Sequence, residues 1–263
     1  MKELTITFVG SGNVASALAR KFADSGFIIN KIISRNIASA SEIASATGAT
    51  ASESFVIPDE SDMVIVAVSD NAIGEVISRL SFIGEPVVVH TSGTTNLSVF
   101  PKHINRFGVI YPLQTFTRGR DIAIGEINIF TEASDEETHR IIDSFSASLS
   151  SHLHHINSEE RRILHISAVF VSNFVNHMLL AGFETASQAG IDPTVFKPLI
   201  KETIEKAYII GPGGAQTGPA SRNDTQTIKK HIELLSFSDD LKNLYTMVSD
   251  SIIKQSNKKN SRE

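Results

Sequence analysis

The chain begins with an apolar strand pattern that runs directly into a glycine-rich turn and a helix. The strand pattern covers residues 4–9, the turn reads GSGNVA over residues 10–15, and helical spacing continues to residue 22. In this G-x-G-x-x-A arrangement the first glycine permits a tight turn, and the second lets the backbone approach a pyrophosphate. The helix N-terminus then faces the phosphate charge. This order predicts a dinucleotide site formed by Gly10, Ser11, Gly12, Asn13 and Val14.

The first half of the chain alternates strand and helix patterns. Continuous apolar runs at residues 63–68 and 86–90 are typical of strands that are buried on both faces of a parallel sheet. Further strands are predicted at residues 27–34, 107–111, 127–131 and 152–156, and helices at 39–46, 70–80 and 136–149. The alternation predicts an α/β fold with a doubly wound, mostly parallel Rossmann sheet.

The second half is predicted to be all-helical. Ser158 and the two glutamates after it are typical of a helix N-cap with an acidic first turn. The helix is predicted to continue to residue 188, and its apolar residues cover too much of its circumference for a surface helix. We therefore expect it to be buried in a domain or subunit interface, which predicts a homodimer. Further helices are predicted at residues 193–210, 224–235 and 239–253. The predicted domains are an NADP-binding Rossmann domain (1–156) and a helical substrate and dimerisation domain (157–263).

Composition and charge exclude several functional classes. The net charge is −5, so no global basic field attracts nucleic acid or an anionic membrane. The chain has no cysteine, which excludes disulfides and thiolate catalysis. His152, His154 and His155 are close in sequence, but on a strand the third points away from the first two, so we predict no metal site. No signal-like leader and no apolar run of membrane-spanning length are recognised, so a cytoplasmic protein is predicted.

The end of the second strand indicates which dinucleotide binds. NAD-binding Rossmann domains carry an acidic residue there, hydrogen-bonded to the ribose 2′-hydroxyl. This chain has Ser34, Arg35 and Asn36 instead, and an arginine fork can pair with a 2′-phosphate. We therefore predict NADP as the cofactor. Val68 and Ser69 follow the next buried strand and should also line the cofactor site; Asp70, after them, is interpreted as a helix N-cap.

Segments along nearly the whole chain resemble one bacterial family. They are GSGNVA (10–15), HTSG (90–93), YPLQTF (111–116), HISAVFVSNF (165–174) and GPASRND (218–224). They are similar to NADP oxidoreductases in which a Rossmann-like domain precedes an uncharacterised helical domain, within the β-hydroxyacid dehydrogenase and pyrroline-carboxylate reductase superfamily. The resemblance implies a helical domain of the 6-phosphogluconate dehydrogenase type, led by one long helix.

The resemblance also implies roles for individual residues. Ser92 and Gly93 match the superfamily's serine–glycine substrate loop, and Asn173 matches an asparagine on the long helix that faces the nicotinamide. The lysine that hydroxyacid dehydrogenases carry one turn earlier is Val169 here, so their usual proton donor is missing. His165 and His177 fall on the same helical face as Asn173, and His165 is the predicted replacement because an imidazole titrates near neutrality.

Two further segments are predicted to contribute to the substrate pocket. The glycine-rich residues 211–224 are either a plain connector, with Asp224 capping the next helix, or a loop that closes over the site. In the second case Arg222 would clamp an anionic group. Tyr111 and Gln114 are predicted to line the same pocket. The predicted catalytic residues are Ser92, His165 and Asn173, and the predicted substrate-binding residues are Ser92, Gly93, Gln114, Asn173 and Arg222.

The sequence therefore predicts an NADP(H)-dependent oxidoreductase. Hydride would pass to or from the carbonyl or imine carbon of a small, anionic substrate. Two alternatives stay open. One is a non-catalytic NADP-binding regulator, which the missing lysine favours. The other is an oxidoreductase that uses a deazaflavin as its hydride carrier.

Overall fold

The structure is a computed structural model that describes residues 4–120 and 123–260. The chain divides after Ser172 into two compact units. The predicted domain boundary at 156/157 coincides with the start of a long helix, whereas the division between the units falls inside that helix. The first turns of the helix belong to the first unit because their side chains pack there.

The first unit is built on an eight-stranded sheet, with one separate two-stranded ladder. The strands are β1 (Thr5–Val9), β2 (Ile28–Ile33), β3 (Thr50–Ser52), β4 (Val56–Ile57), β5 (Met63–Val66), β6 (Ser81–Phe82), β7 (Val87–His90), β8 (Phe107–Pro112), β9 (Ile129–Ala133) and β10 (Leu153–His155). The sheet order is β10-β9-β8-β7-β5-β1-β2-β3, and β4 pairs with β6. Within the sheet β8 and β9 are antiparallel and the other described pairs are parallel. The predicted mostly parallel Rossmann sheet is confirmed.

The first unit contains five α-helices in its described part, of which the first four bury apolar side chains. They are α1 (Asn13–Asp24), α2 (Ile37–Thr47), α3 (Ile73–Arg79), α4 (Glu136–Ser146) and α5 (Ser158–Ala168). Leu18 and Phe22 of α1 are fully buried, as are Ile142 and nearly all of Phe145 on α4. These residues lie three or four positions apart, so each pair presents one apolar face to the sheet.

The strand order creates a crevice at the carboxyl end of β1. From β1 the chain proceeds to β2 on one side, whereas β5 and the later strands lie on the other side. Open α/β sheets bind their ligands at such a switch point, outside the carboxyl ends of the strands. The glycine turn that follows β1 lies at this crevice.

The second unit is all-helical in its described part, as predicted. Its helices are α6 (Val175–Ser187), α7 (Lys197–Ile210), α8 (Pro212–Ala215), α9 (Thr225–Leu234) and α10 (Asp239–Asn260). A π-helical stretch, Val169–Phe174, connects α5 to α6, so the helical run is continuous over Ser158–Ser187. Insertions of this kind inside α-helices are frequent at functional sites.

Two predicted helix N-caps are wrong by one residue. The long helix is capped by Asn157 rather than Ser158, and Glu160 completes a capping box with it. Asp70 is the first residue of a short 3₁₀ turn that follows Ser69, so it does not cap the helix. The carboxylate of Asp70 instead accepts a hydrogen bond from the Thr94 hydroxyl at 2.6 Å. Asp70 is thereby linked to the loop after β7.

The long helix is more exposed than predicted. Ile163, Phe170 and Val171 are each more than half exposed in the single chain, and the predicted burial in a domain or subunit interface stays a prediction. The run Ser158–Ser187 has a window of mean hydropathy 1.5 and could cross a membrane by length and composition alone. The expectation that no apolar run reaches that length is therefore wrong. One such helix is weak evidence for a membrane span.

Candidate active site

The glycine turn after β1 has the geometry that its sequence predicts. Gly10 has a φ of +117°, and a Cβ there would overlap the carbonyl oxygen of Ala67, so only glycine fits. A Cβ on Gly12 would meet no atom within 4 Å. Gly12 is the N-cap of α1 and has no side chain that could bond the first N–H groups of that helix, so those groups stay available to a ligand. Helix N-termini of this kind bind phosphate groups.

The turn after β2 is tied to the glycine turn by hydroxyl groups. The oxygens of Ser34 and Ser11 are 2.8 Å apart, and Ser34 also accepts the N–H of Asn36 at 3.1 Å. The Asn36 side chain caps α2 by accepting the Ser39 N–H. Arg35 is exposed at the rim, where its guanidinium can reach a ligand. The three residues predicted to recognise a 2′-phosphate therefore lie together beside the glycine turn.

A cleft of about 460 Å³ connects these two turns. The predicted residues Val14, Val68 and Ser69 line it, and so does Gln114, which the sequence assigned to the substrate. Asn13 donates from Nδ2 to the carbonyl of Phe116 at 2.9 Å and so holds the segment after β8 across the turn. Sequence reasoning missed eight further lining residues, because no local motif marks them as site residues: Val9, Ile33, Phe55, Ala67, Ala72, Val76, Thr91 and Phe116.

The loop after β7 is organised by the buried hydroxyl of Ser92. Its oxygen accepts the N–H groups of Thr94 and Thr95, each at 3.0 Å. The Thr94 hydroxyl in turn bonds to Asp70. Ser92 is 4% exposed, and its N–H donates to Nδ1 of His90. The hydroxyl therefore fixes the shape of the loop, and its predicted contact with a substrate stays a prediction.

Tyr111 and His165 meet beside this loop. The Tyr111 hydroxyl lies 3.1 Å from Nδ1 of His165. A Cβ on Gly93 would lie 2.5 Å from the same nitrogen, so the glycine leaves the space that the imidazole fills. Burial raises the pKa of Tyr111 above its usual value, with a smaller rise from Asp70 and an opposing effect from Arg161. The phenol therefore keeps its proton at neutral pH. A tyrosine and a histidine in this contact can hold and deliver a proton.

A buried ion pair anchors the same region. Arg161 is fully buried, pairs with Glu132 of β9, and donates to the carbonyl of Thr95. Ser158 donates to the same carboxylate of Glu132. Arg161 lies one turn before His165 on α5, so these contacts fix the helix that carries the imidazole.

His90 lies beneath the loop as a neutral core residue. It is fully buried at the end of β7 and stacks on Phe100 with ring centroids 5.6 Å apart. Its pKa is lowered to about 3, mainly by burial and to a smaller extent by the charge of Arg161, with Asp70 acting in the opposite direction. Because Nδ1 accepts the Ser92 N–H, the ring hydrogen is on Nε2.

The remaining predicted residues belong to other parts of the helical run and the second unit. Asn173 lies in the π-helical stretch and is exposed, and His177 is exposed on α6. Arg222 lies in the 3₁₀ turn Ala220–Arg222. Asp224 caps α9, as was expected for a plain connector. The roles of Asn173 and Arg222 toward a substrate stay predictions.

A Rossmann sheet with a glycine turn at its switch point defines the class of dinucleotide-binding proteins. Residues 5–93 match the family described as NADP oxidoreductase coenzyme F420-dependent. Residues 127–252 match a domain of unknown function, DUF2520. No curated protein matches the chain.

Solved structures extend this result to the whole chain. A provisionally assigned NADP oxidoreductase from Bacteroides fragilis is 33% identical over 96% of this chain and 98% of its own, with a TM-score of 0.89. Because that identity extends over nearly the full length of both proteins, the chain belongs to this family of NADP oxidoreductases. A reductive aminase from Aspergillus terreus in complex with NADPH and ethyl-5-oxohexanoate is 11% identical over 97% and 95% of the two chains, with a TM-score of 0.70. An imine reductase from Myxococcus stipitatus in complex with NADP⁺ is 15% identical over 97% and 93%, with a TM-score of 0.62. These last two share the fold.

The cofactor is NADP(H), as the sequence predicts. The residues present fit it. Gly12 leaves open space at the N-terminus of α1 for a pyrophosphate, and no acidic side chain lines the described part of the cleft to repel a 2′-phosphate. Arg35 offers the positive charge at the position where NAD-specific domains place an acid.

Proposed function

We propose that the protein is an NADPH-dependent reductase that acts on the carbonyl or imine carbon of a small, anionic substrate. The observation that carries the proposal is the contact between Tyr111 and His165 beside the Ser92–Gly93 loop. Thr91, the residue before that loop, lines the nucleotide cleft, so the proton-bearing pair is close to the cofactor site. The related fold of an imine reductase and a reductive aminase supports the reaction class.

The residues of the pair control the proton in this proposal. NADPH, when bound, supplies a hydride to the electrophilic carbon. Reduction of a carbonyl or imine leaves an oxygen or nitrogen that must gain a proton. In this proposal His165 gives one proton to that atom as the general acid, and the Tyr111 hydroxyl, 3.1 Å from Nδ1, orients the ring. His165 thus takes the role of the lysine that Val169 replaces.

The proposal that the substrate is anionic rests on residues of the second unit. Asn173 is proposed to orient the substrate, and Arg222 to clamp its negative group with a charge-assisted fork. An Arg222→Gln variant should raise KM for a 2-oxo acid at least about tenfold and leave KM for the corresponding ester unchanged. Equal changes for acid and ester would contradict the clamp.

Turnover and cofactor affinity must be measured separately. His165→Ala and Asn173→Ala should each lower kcat on a panel of oxo acids and imines by roughly 100-fold, with the Kd for NADPH unchanged. His103→Ala, which removes an exposed histidine of a loop outside the cleft lining, is the matched control. Undiminished turnover in His165→Ala would overturn the assignment. Tight NADPH binding without oxidation on any substrate would favour the non-catalytic regulator.

A deazaflavin carrier is a second candidate, because the family matched by residues 5–93 is described as coenzyme F420-dependent. In that case the substrate of the hydride transfer is the deazaflavin itself. Mixing the protein with NADPH and coenzyme F420 and following the deazaflavin absorbance separates the two. Rapid bleaching with F420 and none with imines or oxo acids would favour this candidate.

We also propose that the protein functions as a cytoplasmic homodimer. The apolar residues exposed along the helical run need a partner surface, and a second copy of the chain offers the same large apolar side chains. Val171→Glu should convert the dimer to a monomer in sedimentation experiments. Ile83→Glu, at a similarly exposed apolar residue outside the helical run, should not. A monomeric wild-type protein would contradict the proposal.

A further inference from the structure

Two histidines and an aspartate converge on the first unit, outside the cleft. His139 and Asp143 are four residues apart on α4, so they lie on the same face of that helix. His155 ends β10, the strand at the edge of the sheet. These three residues, the His139–Asp143–His155 cluster, do not line the nucleotide cleft.

The side chains of the cluster face one another at short distances. Nε2 of His155 is 2.7 Å from Oδ2 of Asp143, and Nε2 of His139 is 3.8 Å from Oδ1. The two imidazole rings are 3.9 Å apart between centroids. One ligand atom from each residue lies within 4.8 Å of the other two. Four ligands around zinc are separated by roughly 3.3 Å, given bonds of about 2.0 Å, so small side-chain rotations suffice.

A buried hydroxyl supports the carboxylate from behind. Thr131 of β9 is fully buried, and its hydroxyl donates to Oδ1 of Asp143 at 2.9 Å. The Thr131 hydroxyl oxygen also lies 3.0 Å from Nε2 of His139. Hydroxyls and backbone groups that orient metal ligands in this way raise metal affinity. Because Thr131 is on a central part of β9, the cluster rests on the sheet rather than on a loop.

We propose that the His139–Asp143–His155 cluster is a binding site for a zinc-like divalent cation. Two imidazoles and one carboxylate form a ligand set that suits zinc, whereas magnesium and calcium require oxygen ligands. The three protein ligands leave a fourth position for water. His155 is 62% exposed on its side chain, so an ion can enter from solvent.

A hydrogen-bond network without an ion is the competing explanation. His155 can donate to Asp143 and Thr131 can donate to the same carboxylate, so each polar atom has a partner without metal. The two explanations differ in a measurable way. A network binds no ion in solution, whereas a metal site binds one ion per chain and loses it when any one ligand is removed.

The adjacent histidine offers a matched control. His154 points to the opposite side of β10, where it stacks on Phe130 and lies 2.8 Å from Oδ1 of Asn128. Removing His154 therefore deletes an imidazole one residue away without touching the cluster. The variants to compare are His155→Ala, Asp143→Asn, Thr131→Val and His154→Ala.

Zinc binding to the metal-free full-length protein is measured by competition with a chromophoric chelator, and cobalt absorption reports the geometry. We expect one Zn²⁺ per chain, with the Kd raised about 100-fold or more in His155→Ala and Asp143→Asn. Thr131→Val should raise it about tenfold. The His154→Ala variant should bind as the wild type does, and cobalt should show tetrahedral bands.

Two outcomes would overturn the proposal. One is the absence of saturable one-to-one zinc binding, and the other is an equal loss in His154→Ala and His155→Ala. Unchanged NADPH affinity in every variant serves as the check that the first unit is folded, because the cleft lies apart from the cluster.

Discussion

The hydroxyl of Tyr111 and Nδ1 of His165 lie 3.1 Å apart, although 54 positions separate the two residues in the chain. The contact joins the carboxyl end of β8 to α5, and Gly93 from the loop after β7 packs against the imidazole. Three segments thus meet at one ring. Thr91, two residues before Gly93, lines the cofactor cleft, whereas Gly93 and His165 do not. A substitution at this contact should therefore affect the proposed proton transfer more than it affects cofactor binding.

Gly93→Ala should therefore impair catalysis selectively. The added Cβ would lie 2.5 Å from Nδ1 of His165 and would push the imidazole away from Tyr111. A displacement of about 1 Å in an active site costs roughly 100-fold in rate. We expect kcat to fall by about that factor in steady-state assays, with NADPH affinity retained in fluorescence titrations.

Gly125→Ala is the control for the Gly93 variant. A Cβ at Gly125 would meet no atom within 4 Å, and its φ is not positive, so the substitution is accommodated. Full activity in Gly93→Ala would show that the imidazole position is unimportant, and loss of NADPH binding would show that the loop serves the cofactor instead.

Most of the sheet could be predicted from sequence because its strands are buried on both faces. Continuous, mostly apolar runs such as Met63–Val66 and Val87–His90 are typical of strands that helices cover on both faces of a parallel sheet. The short strands β3, β4 and β6 were not predicted, since two or three residues carry no periodicity. The exposure of the long helix was also not predicted, because an apolar circumference indicates a need for burial but not the partner that provides it.

The two halves of the candidate site differ in how far sequence could reach. The glycine turn was predictable because Gly10 and Gly12 act through their own backbone and their neighbours in the chain. The partner of His165 was not, because the contact with Tyr111 depends on the order of strands in the sheet. The His139–Asp143–His155 cluster was not predicted either, because it too depends on how elements far apart in the chain pack together. Alternation along β10 correctly separates His155 from His154, but it does not show that α4 covers the face where His155 lies.

Arg35→Asp should reverse part of the cofactor preference. The guanidinium is proposed to pair with the 2′-phosphate, whereas an aspartate repels it and can bind a free 2′-hydroxyl. We expect the Kd for NADPH to rise about 100-fold or more and the Kd for NADH to change less than about threefold, as measured by fluorescence titration at fixed ionic strength. Lys102→Asp, with the same change in charge outside the cleft lining, is the control. Equal losses for the two cofactors would contradict the role of Arg35.

Glu132→Gln should strongly destabilise the first unit. Removing the carboxylate leaves the fully buried guanidinium of Arg161 without its counter-charge, and breaking a buried pair costs about 3–5 kcal/mol. The free energy of unfolding in urea should fall by about that amount at a fixed protein concentration. The double variant Glu132→Leu with Arg161→Met should recover much of the loss, because neither charge remains.

The neighbouring ion pair tests whether burial is the cause. Arg162 and Glu159 are also paired on α5 but are about half and three-quarters exposed. Glu159→Gln should therefore change the free energy of unfolding by less than about 1 kcal/mol. Comparable losses at the two pairs would mean that the helix, and not the buried charge, dominates the effect.

Stability should fall as the pH drops below about 6.5, and His90 should account for part of the fall. Its pKa is about 3 in the folded state and about 6.5 when unfolded, so the unfolded state binds more protons between these values. The free energy of unfolding therefore rises with pH across that window, by up to about 1.4 kcal/mol per pH unit from this group. Carboxylates such as Asp135, with a pKa of about 2, contribute only below about pH 4.

His90→Asn isolates this contribution because the asparagine oxygen can still accept the Ser92 N–H but does not titrate. The variant should be less stable than the wild type near pH 7, since it loses the stacking on Phe100. The difference in the free energy of unfolding should shrink as the pH approaches about 4.5, because the unfolded wild type then gains a proton that the buried imidazole does not take up. Urea unfolding at a series of pH values measures it, with the exposed His103→Asn as the control. Parallel pH profiles for wild type and His90→Asn would show that another group governs the acid sensitivity.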